Sequence, residues 1–372
     1  MSLTPADKYP KRALNGLRLS VERFVSHCEP SVSLRYRQMR PADVRKCVNL
    51  IAAHPVIGLR YGKAIADLSA AWLRLLDYEA KSTVVFEELQ DSRVRIFGVG
   101  VSIFVNDDFM LEVKTPPFFW IGPELARRIA RGNSPLLSDR ALRDANAGGG
   151  LNLLTWEGCI RPEDARRAET YNKLILAFIE EHRGFLWKEI IGAQAHSAEA
   201  LRSMLKSGGA LFDPVQSRWM DSPEKDPQEI VAKPHLIGLD REIALSRPGS
   251  WVGGLFDYEP PRCGFSRGEQ RLLISALGGE TDEQLARALG ISRNAIKKAW
   301  RSIYDRIARC LPELVQGESR LDTSMSERGK EKKHRLLGYL REHAEELRPV
   351  SRKLLQQDAA RKTVRRRPQA AV

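Results

Sequence analysis

Apolar positions recur along most of this chain at one of two spacings, and the spacing changes from segment to segment. Residues 34–40 alternate apolar and charged and predict a strand. Pro41 opens a helix through about Ala53, with Val44, Val48 and Ile51 on one face. Residues 61–79 carry a second helix on Ile65, Leu68, Trp72, Leu75 and Leu76. Residues 83–89 and 94–105, rich in Val, Ile and Phe, read as a hairpin broken at residues 90–93. Residues 106–150 interrupt the pattern: a turn-like aromatic run, a short helix at 124–130, and a mobile end at Ala147-Gly148-Gly149-Gly150. A strand at 151–158, a long amphipathic helix at 165–183, a strand at 186–193 and a helix at 198–206 follow, the last closed by Gly208-Gly209. Residues 213–229 are polar with three prolines, and 231–245 predict one or two strands. Residues 1–33 lack clear periodicity and read as a loosely attached arm with a helix around 14–27. Strands and helices in this order give an α+β region over 34–245.

The pattern becomes wholly helical after residues 246–264, a Pro- and Gly-rich linker whose Trp251 and Phe256 are placed to dock on a neighbour. Ser266 with Glu269, and Thr281 with Gln284, are capping boxes that open two helices. Gly278-Gly279 closes the first and Gly290 the second, and Ser292 caps a third after a tight turn. On this third helix Ile296, Trp300, Ile303 and Ile307 form one apolar stripe. Ser292, Arg293, Asn294, Lys297, Lys298 and Arg301 fall mostly off it, near the helix start. Recognition helices present that end to the DNA major groove, where Arg and Lys contact guanine edges or phosphates and Asn contacts adenine. The alternative for these six residues is an ordinary solvated basic face. Residues 331–347 predict a further helix suited to dimerisation or to packing on the three-helix unit of residues 265–311.

The wording of residues 265–311 resembles the LuxR-type helix-turn-helix of bacterial transcription regulators. The resemblance lies in Ser266-Arg-Gly-Glu269, in Glu283-Gln-Leu-Ala286 through Gly290-Ile291-Ser292, and in Ala295-Ile296-Lys297-Lys298. It implies that the last helix enters the major groove and that Lys297 contacts DNA. Region 4 of bacterial sigma factors is similar, which brings in RNA polymerase as an alternative partner.

Charge sharpens this picture. The chain of 372 residues carries a net +13, of which +5 lies in residues 262–311 and +8 in 327–372. Residues 1–261 carry only +2, and residues 312–326 carry −2. Basicity concentrated on the DNA-facing candidate and the tail behind it, which ends in Arg365-Arg366-Arg367, is the footprint of a polyanion partner. The five cysteines form no CxxC pair, so neither a zinc site nor any other metal or cofactor is expected, and their scatter suits a reducing cytoplasm. No secretory signal or apolar run of about 18 residues is visible, so a membrane location is not expected.

The α+β region resembles the GNAT acetyltransferase fold, through residues 34–51 for its first strand and helix and 165–209 for its second half. That family holds acetyl-CoA on a glycine loop of the form Arg/Gln-x-x-Gly-x-Gly/Ala. The corresponding residues 161–168 keep Arg161 and lack both glycines, and Glu163 and Asp164 place negative charge where the pyrophosphate would sit. The family's general-acid Tyr falls near Leu205. The resemblance therefore implies a degenerate domain used for sensing or interaction, with no catalytic residue assigned. Glu157 and the Glu87-Glu88 pair are the general-base candidates, against the usual expectation that strand-edge carboxylates are solvated. Together the two resemblances imply a cytoplasmic, nucleoid-associated regulator that binds double-stranded DNA and can form a homodimer. The alternatives are an acetyltransferase with a DNA-binding tail and a sigma-like partner of RNA polymerase.

Overall fold

The computed structural model describes residues 33–90, 93–220, 226–315 and 325–349. The expected arm with its helix at 14–27, and the basic tail, lie outside these residues. The architecture is mixed α+β, built on an eight-stranded sheet. Its strands are β1 (Ser33–Gln38), β2 (Lys81–Gln90), β3 (Arg93–Val105), β4 (Leu151–Ile160), β5 (Trp187–Ile191), β6 (Ala210–Asp213), β7 (Arg218–Met220) and β8 (Ile237–Asp240). Their spatial order is β1-β2-β3-β4-β5-β8-β6-β7. Every pairing is antiparallel except β4 with β5.

Both faces of the first half of the sheet are covered, which explains why β2 and β3 read as near-continuous apolar runs. Val85, Val99, Val101 and Ile103 join the main core with the helices Val44–Ala53, Ile65–Leu75 and Ile121–Ala130. Val84, Phe86 and Phe97 point the other way, onto Leu174 and Ala177 of the helix Ala168–His182.

Two expectations change, and a third, at residues 231–245, is met by a single strand. The segment ending in Gly150 is folded: Asp139–Asp144 is helical and Ala145–Gly149 forms one wide turn of π-helix. Asn146 within it is buried and accepts a hydrogen bond from the Leu186 amide at 3.0 Å. Gly150 then adopts φ +83 with Lys188 Cβ 3.1 Å from where its own Cβ would stand, so both conformation and space call for glycine. Residues 231–245 hold one strand, β8, followed by the helix Arg241–Ser246, because Asp240 accepts a hydrogen bond from the Ile243 amide at 2.9 Å and caps it. Residues 246–264 are mostly not a free connector. Leu255 and Phe256 are buried in the main core, and Trp251 meets Phe178 edge-on with ring centres 5.9 Å apart.

A second hydrophobic core begins at Cys263 and Phe265. It is made by the helices Arg267–Leu277, Asp282–Leu289 and Arg293–Cys310, closed by Leu336, Leu340 and Leu347 from Met325–Glu342 and the short turn Ala344–Leu347. The predicted helix at 331–347 thus packs on its own neighbours. Side chains of two arginines reach from the second core to the first. Arg267 pairs with the buried Glu79. Arg348 donates to the carbonyls of Glu180, Glu181 and Arg183 at 2.9–3.1 Å, at the C-terminal end of Ala168–His182, with its guanidinium over Phe185. A cation there satisfies carbonyls that the helix leaves open.

Candidate functional site

The residues singled out in 265–311 are brought to one surface by three local devices. Ser266 and Glu269 form a complete capping box, and so do Thr281 and Gln284. Gly290 sits at φ 63, ψ 35 in the left-handed region, and the Ile291 amide returns to the Ala286 carbonyl at 3.1 Å, which turns the chain sharply. Ser292 Oγ accepts from the Ala295 amide at 3.1 Å and starts the helix Arg293–Cys310.

That helix has one buried and one open face. Ile296, Trp300, Ile303 and Ile307 are all buried. Ser292, Arg293, Asn294, Lys297, Lys298 and Arg301 are all exposed. Ser292 is committed to its cap, and Arg293 pairs with Glu283 at 3.1 Å. Among the described residues, Lys297, Lys298 and Arg301 enter no ion pair. Three cations held on a rigid helix without internal counter-charge form an anion-attracting edge.

Supporting contacts that spacing alone did not reveal fix this helix. Glu269 does more than cap: it accepts from Ser302 Oγ at 2.9 Å and pairs with Arg306 at 3.3 Å. Its carboxyl is held below the usual range by the Ser266 and Ser302 donors and Arg306, against the opposing push of burial. Trp300 Nε1 donates to Asp282 at 3.3 Å, and Lys333 lies over the Trp300 ring while contacting the same carboxylate.

A second candidate lies in the sheet. β4 and β5 pair only from Leu151–Trp187 to Leu154–Ile191. Beyond that point β4 continues beside β3, whereas the Gly192 amide turns to the Ile237 carbonyl on β8 at 2.7 Å. The strands part, and a largely apolar cavity of about 310 Å³ opens between them. Leu174, Phe178, Met204 and Trp251 line it, with Thr155 and Glu157 from β4.

Solvation of the strand carboxylates is not what the structure has. Glu157 is buried, accepts from Tyr61 Oη at 3.2 Å, and is pushed up to about 7 by burial. Glu87 is buried between Arg35 at 2.9 Å and Arg37 at 2.6 Å. Glu88 pairs with Arg95 at 2.5 Å and Arg167 at 2.8 Å, and these hold its carboxyl below the usual range. The long-range arginine partners are what make burial affordable, and single-strand spacing cannot show them. The two acids of the loop at 161–168 also behave differently from expectation. Asp164 is buried and paired with Arg95 at 2.7 Å and Arg167 at 3.5 Å, so of the two acids only Glu163, paired with Arg161 at 3.8 Å, is exposed. Leu205 stands where the resemblance places a tyrosine, and Tyr171 on the helix Ala168–His182 reaches the cavity wall and meets Ser203 Oγ at 2.7 Å. Tyr61 and Tyr171 were missed because each sits at an ordinary helical position.

Among the described residues, no group of three or more His, Cys, Asp or Glu is placed to hold a metal ion, and no helix is long and apolar enough to cross a membrane. Set against known protein families, curated proteins and solved structures, the chain finds no match.

Proposed function

We propose that this chain is a DNA-binding transcription regulator whose helices Asp282–Leu289 and Arg293–Cys310 act as a LuxR-like helix-turn-helix. The observation that carries the reading is the open edge of Lys297, Lys298 and Arg301, free of internal ion pairs among the described residues, on a helix whose opposite face is buried. Lys297 and Arg301 would contact phosphates or guanine, Asn294 adenine, and Arg293 the backbone at the cost of its surface pair with Glu283. The larger α+β region would sense a ligand or partner. The test is selection of bound fragments from random duplex DNA with the full chain. Recovery of a shared sequence, lost in Lys297→Ala with Arg301→Ala, supports the reading; retention of no duplex at low salt overturns it.

A second reading, an acyltransferase carrying the same DNA-binding unit, is favoured by one observation. Glu157, at the wall of the β4–β5 cavity, is pushed up to about 7 by burial, the range in which a carboxylate works as a general base. Against it stands the loop at 161–168, which lacks the glycines that let a pyrophosphate approach the backbone. Acetyl-CoA titration decides: a ligand present at 100 times its Kd stabilises the fold by about 2.7 kcal/mol. A flat melting temperature leaves the sensing domain; a rise with turnover promotes the enzyme. Dependence of promoter opening on this chain with core RNA polymerase would instead favour the sigma-like alternative.

A further inference from the structure

Cys263 and Cys310 stand at the two ends of the DNA-facing unit: one in the loop before the Ser266 cap, the other the last residue of the helix Arg293–Cys310. They are 47 residues apart in sequence, yet their sulfurs lie 2.7 Å from each other. The two thiols are unbonded, and their sulfurs need to close only from 2.7 Å to the covalent separation of about 2.05 Å. Neither residue lies in the middle of an element, so that closure disturbs no repeating hydrogen-bond ladder. Cys263 is buried, whereas Cys310 is partly open to solvent. Around them stand Glu346, whose carboxylate accepts from the Cys263 amide at 3.1 Å, Tyr339, which donates to Glu346 at 3.0 Å, and Arg306, close to the Cys263 carbonyl at 3.5 Å. Cys47 and Cys159, the other cysteines of the described residues, are buried in the main core and have no such partner contact.

We propose that Cys263 and Cys310 are a dithiol pair that small-molecule disulfides oxidise reversibly, locking the DNA-facing unit shut. Cys310, the accessible thiol, releases its proton to water and attacks one sulfur of the disulfide. The S–S bond of that molecule breaks, and one thiolate leaves and is protonated. Cys263 then loses its proton and attacks Cys310 Sγ, expelling the second thiolate. Two protein thiols are oxidised to one disulfide, and one small disulfide is reduced to two thiols, with two electrons passed between them. Burial holds the Cys263 thiol in its protonated form. It therefore waits for the mixed disulfide beside it rather than reacting first. The bond would close a loop containing all three helices of the unit, removing freedom mainly from its unfolded state. Arg301, the nearest residue of the basic edge, is nine positions before Cys310, about 14 Å along the helix, so that edge is left untouched.

The test uses the full chain and glutathione disulfide as oxidant. After equilibration, the free thiols counted under denaturing conditions should fall from five to three. Digestion should yield one linked peptide pair spanning Cys263 and Cys310. The melting temperature should rise, and dithiothreitol should return all three readouts to their starting values. Cys310→Ser should keep its four remaining thiols and show no rise, while Cys47→Ser still forms the link. Cys263→Ser, if it folds, should stop at a mixed disulfide with one glutathione on Cys310. Five free thiols at full oxidant, or a linkage through any other pair, overturns the proposal. These readouts do not involve DNA, so they stand or fall apart from the DNA-binding reading.

Discussion

Replacing Lys297 and Arg301 together by alanine tests the electrostatic part of the proposed DNA binding. Both side chains are exposed, one turn apart on the same edge, and among the described residues neither is in an ion pair. Alanine is also the best helix former, so the fold should keep its stability. If each cation neutralises one phosphate, each contributes about 0.9 to the slope of log affinity against log salt. Losing both should flatten that slope by about 1.8. Carried from 1 M to a physiological salt of about 0.15 M, this amounts to a loss of about 30-fold in affinity, or about 2 kcal/mol. The assay is fluorescence anisotropy of a labelled duplex titrated at four or five salt concentrations, with a melting curve of each protein alongside. An unchanged slope and affinity in a variant that melts like the parent would remove this edge from the interface. A loss accompanied by a lower melting temperature would mean that the two residues support the helix itself.

Three further outcomes follow from the same geometry. Ile303→Ala deletes a fully buried side chain and should destabilise the C-terminal helical unit by about 2–5 kcal/mol, read as a lower urea midpoint; an unchanged midpoint would contradict its place in the core. Gly290→Ala forces a β-carbon into the left-handed conformation and should cost about 1–2 kcal/mol in the same assay, whereas equal stability would mean that the turn relaxes. Glu157 holds its proton more tightly folded than unfolded, so the stability it adds is present below its ordinary value of 4.5 and is lost as pH rises through about 7. Relative to Glu157→Gln, the parent should therefore lose about 3 kcal/mol between pH 4.5 and 7.5, and parallel profiles for the two proteins would refute a buried, proton-holding carboxyl.

Local rules in the sequence were enough for the elements that close on themselves. The helices Ala198–Lys206 and Asp282–Leu289 begin and end at the predicted residues, because caps and glycines a few positions away define them. The apolar stripe from Ile296 to Ile307 is buried along its whole length for the same reason. Legibility failed where the deciding partner was distant. The turn before Gly150 looks mobile until Leu186 and Tyr258 are seen bonded to Asn146. Glu87 and Asp164 look solvated until Arg37 and Arg95 arrive from other strands and from across the sheet. The parting of β4 from β5 leaves no local mark, since Thr155 and Gly192 are unremarkable in their own segments. The contact of Cys263 with Cys310 is likewise invisible to spacing rules, which look for cysteines a few residues apart.

The placement of Phe256 in one core and Cys263 in the other leaves six residues, 257–262, as the true tether between them. Fully extended they span about 20 Å, and Pro260-Pro261 stiffens the middle. A tether of that reach keeps each unit at an effective concentration of about a millimolar toward the other. Contacts too weak to assemble two separate molecules, such as Arg267 with Glu79 or Arg348 on the helix end, are then made most of the time. Dissecting the chain into halves would dissolve that association: mixed at micromolar concentration, the fragments should stay apart even though each is intact. Measurements on the C-terminal helical unit alone would accordingly describe a molecule released from its neighbour, not the one the whole chain presents.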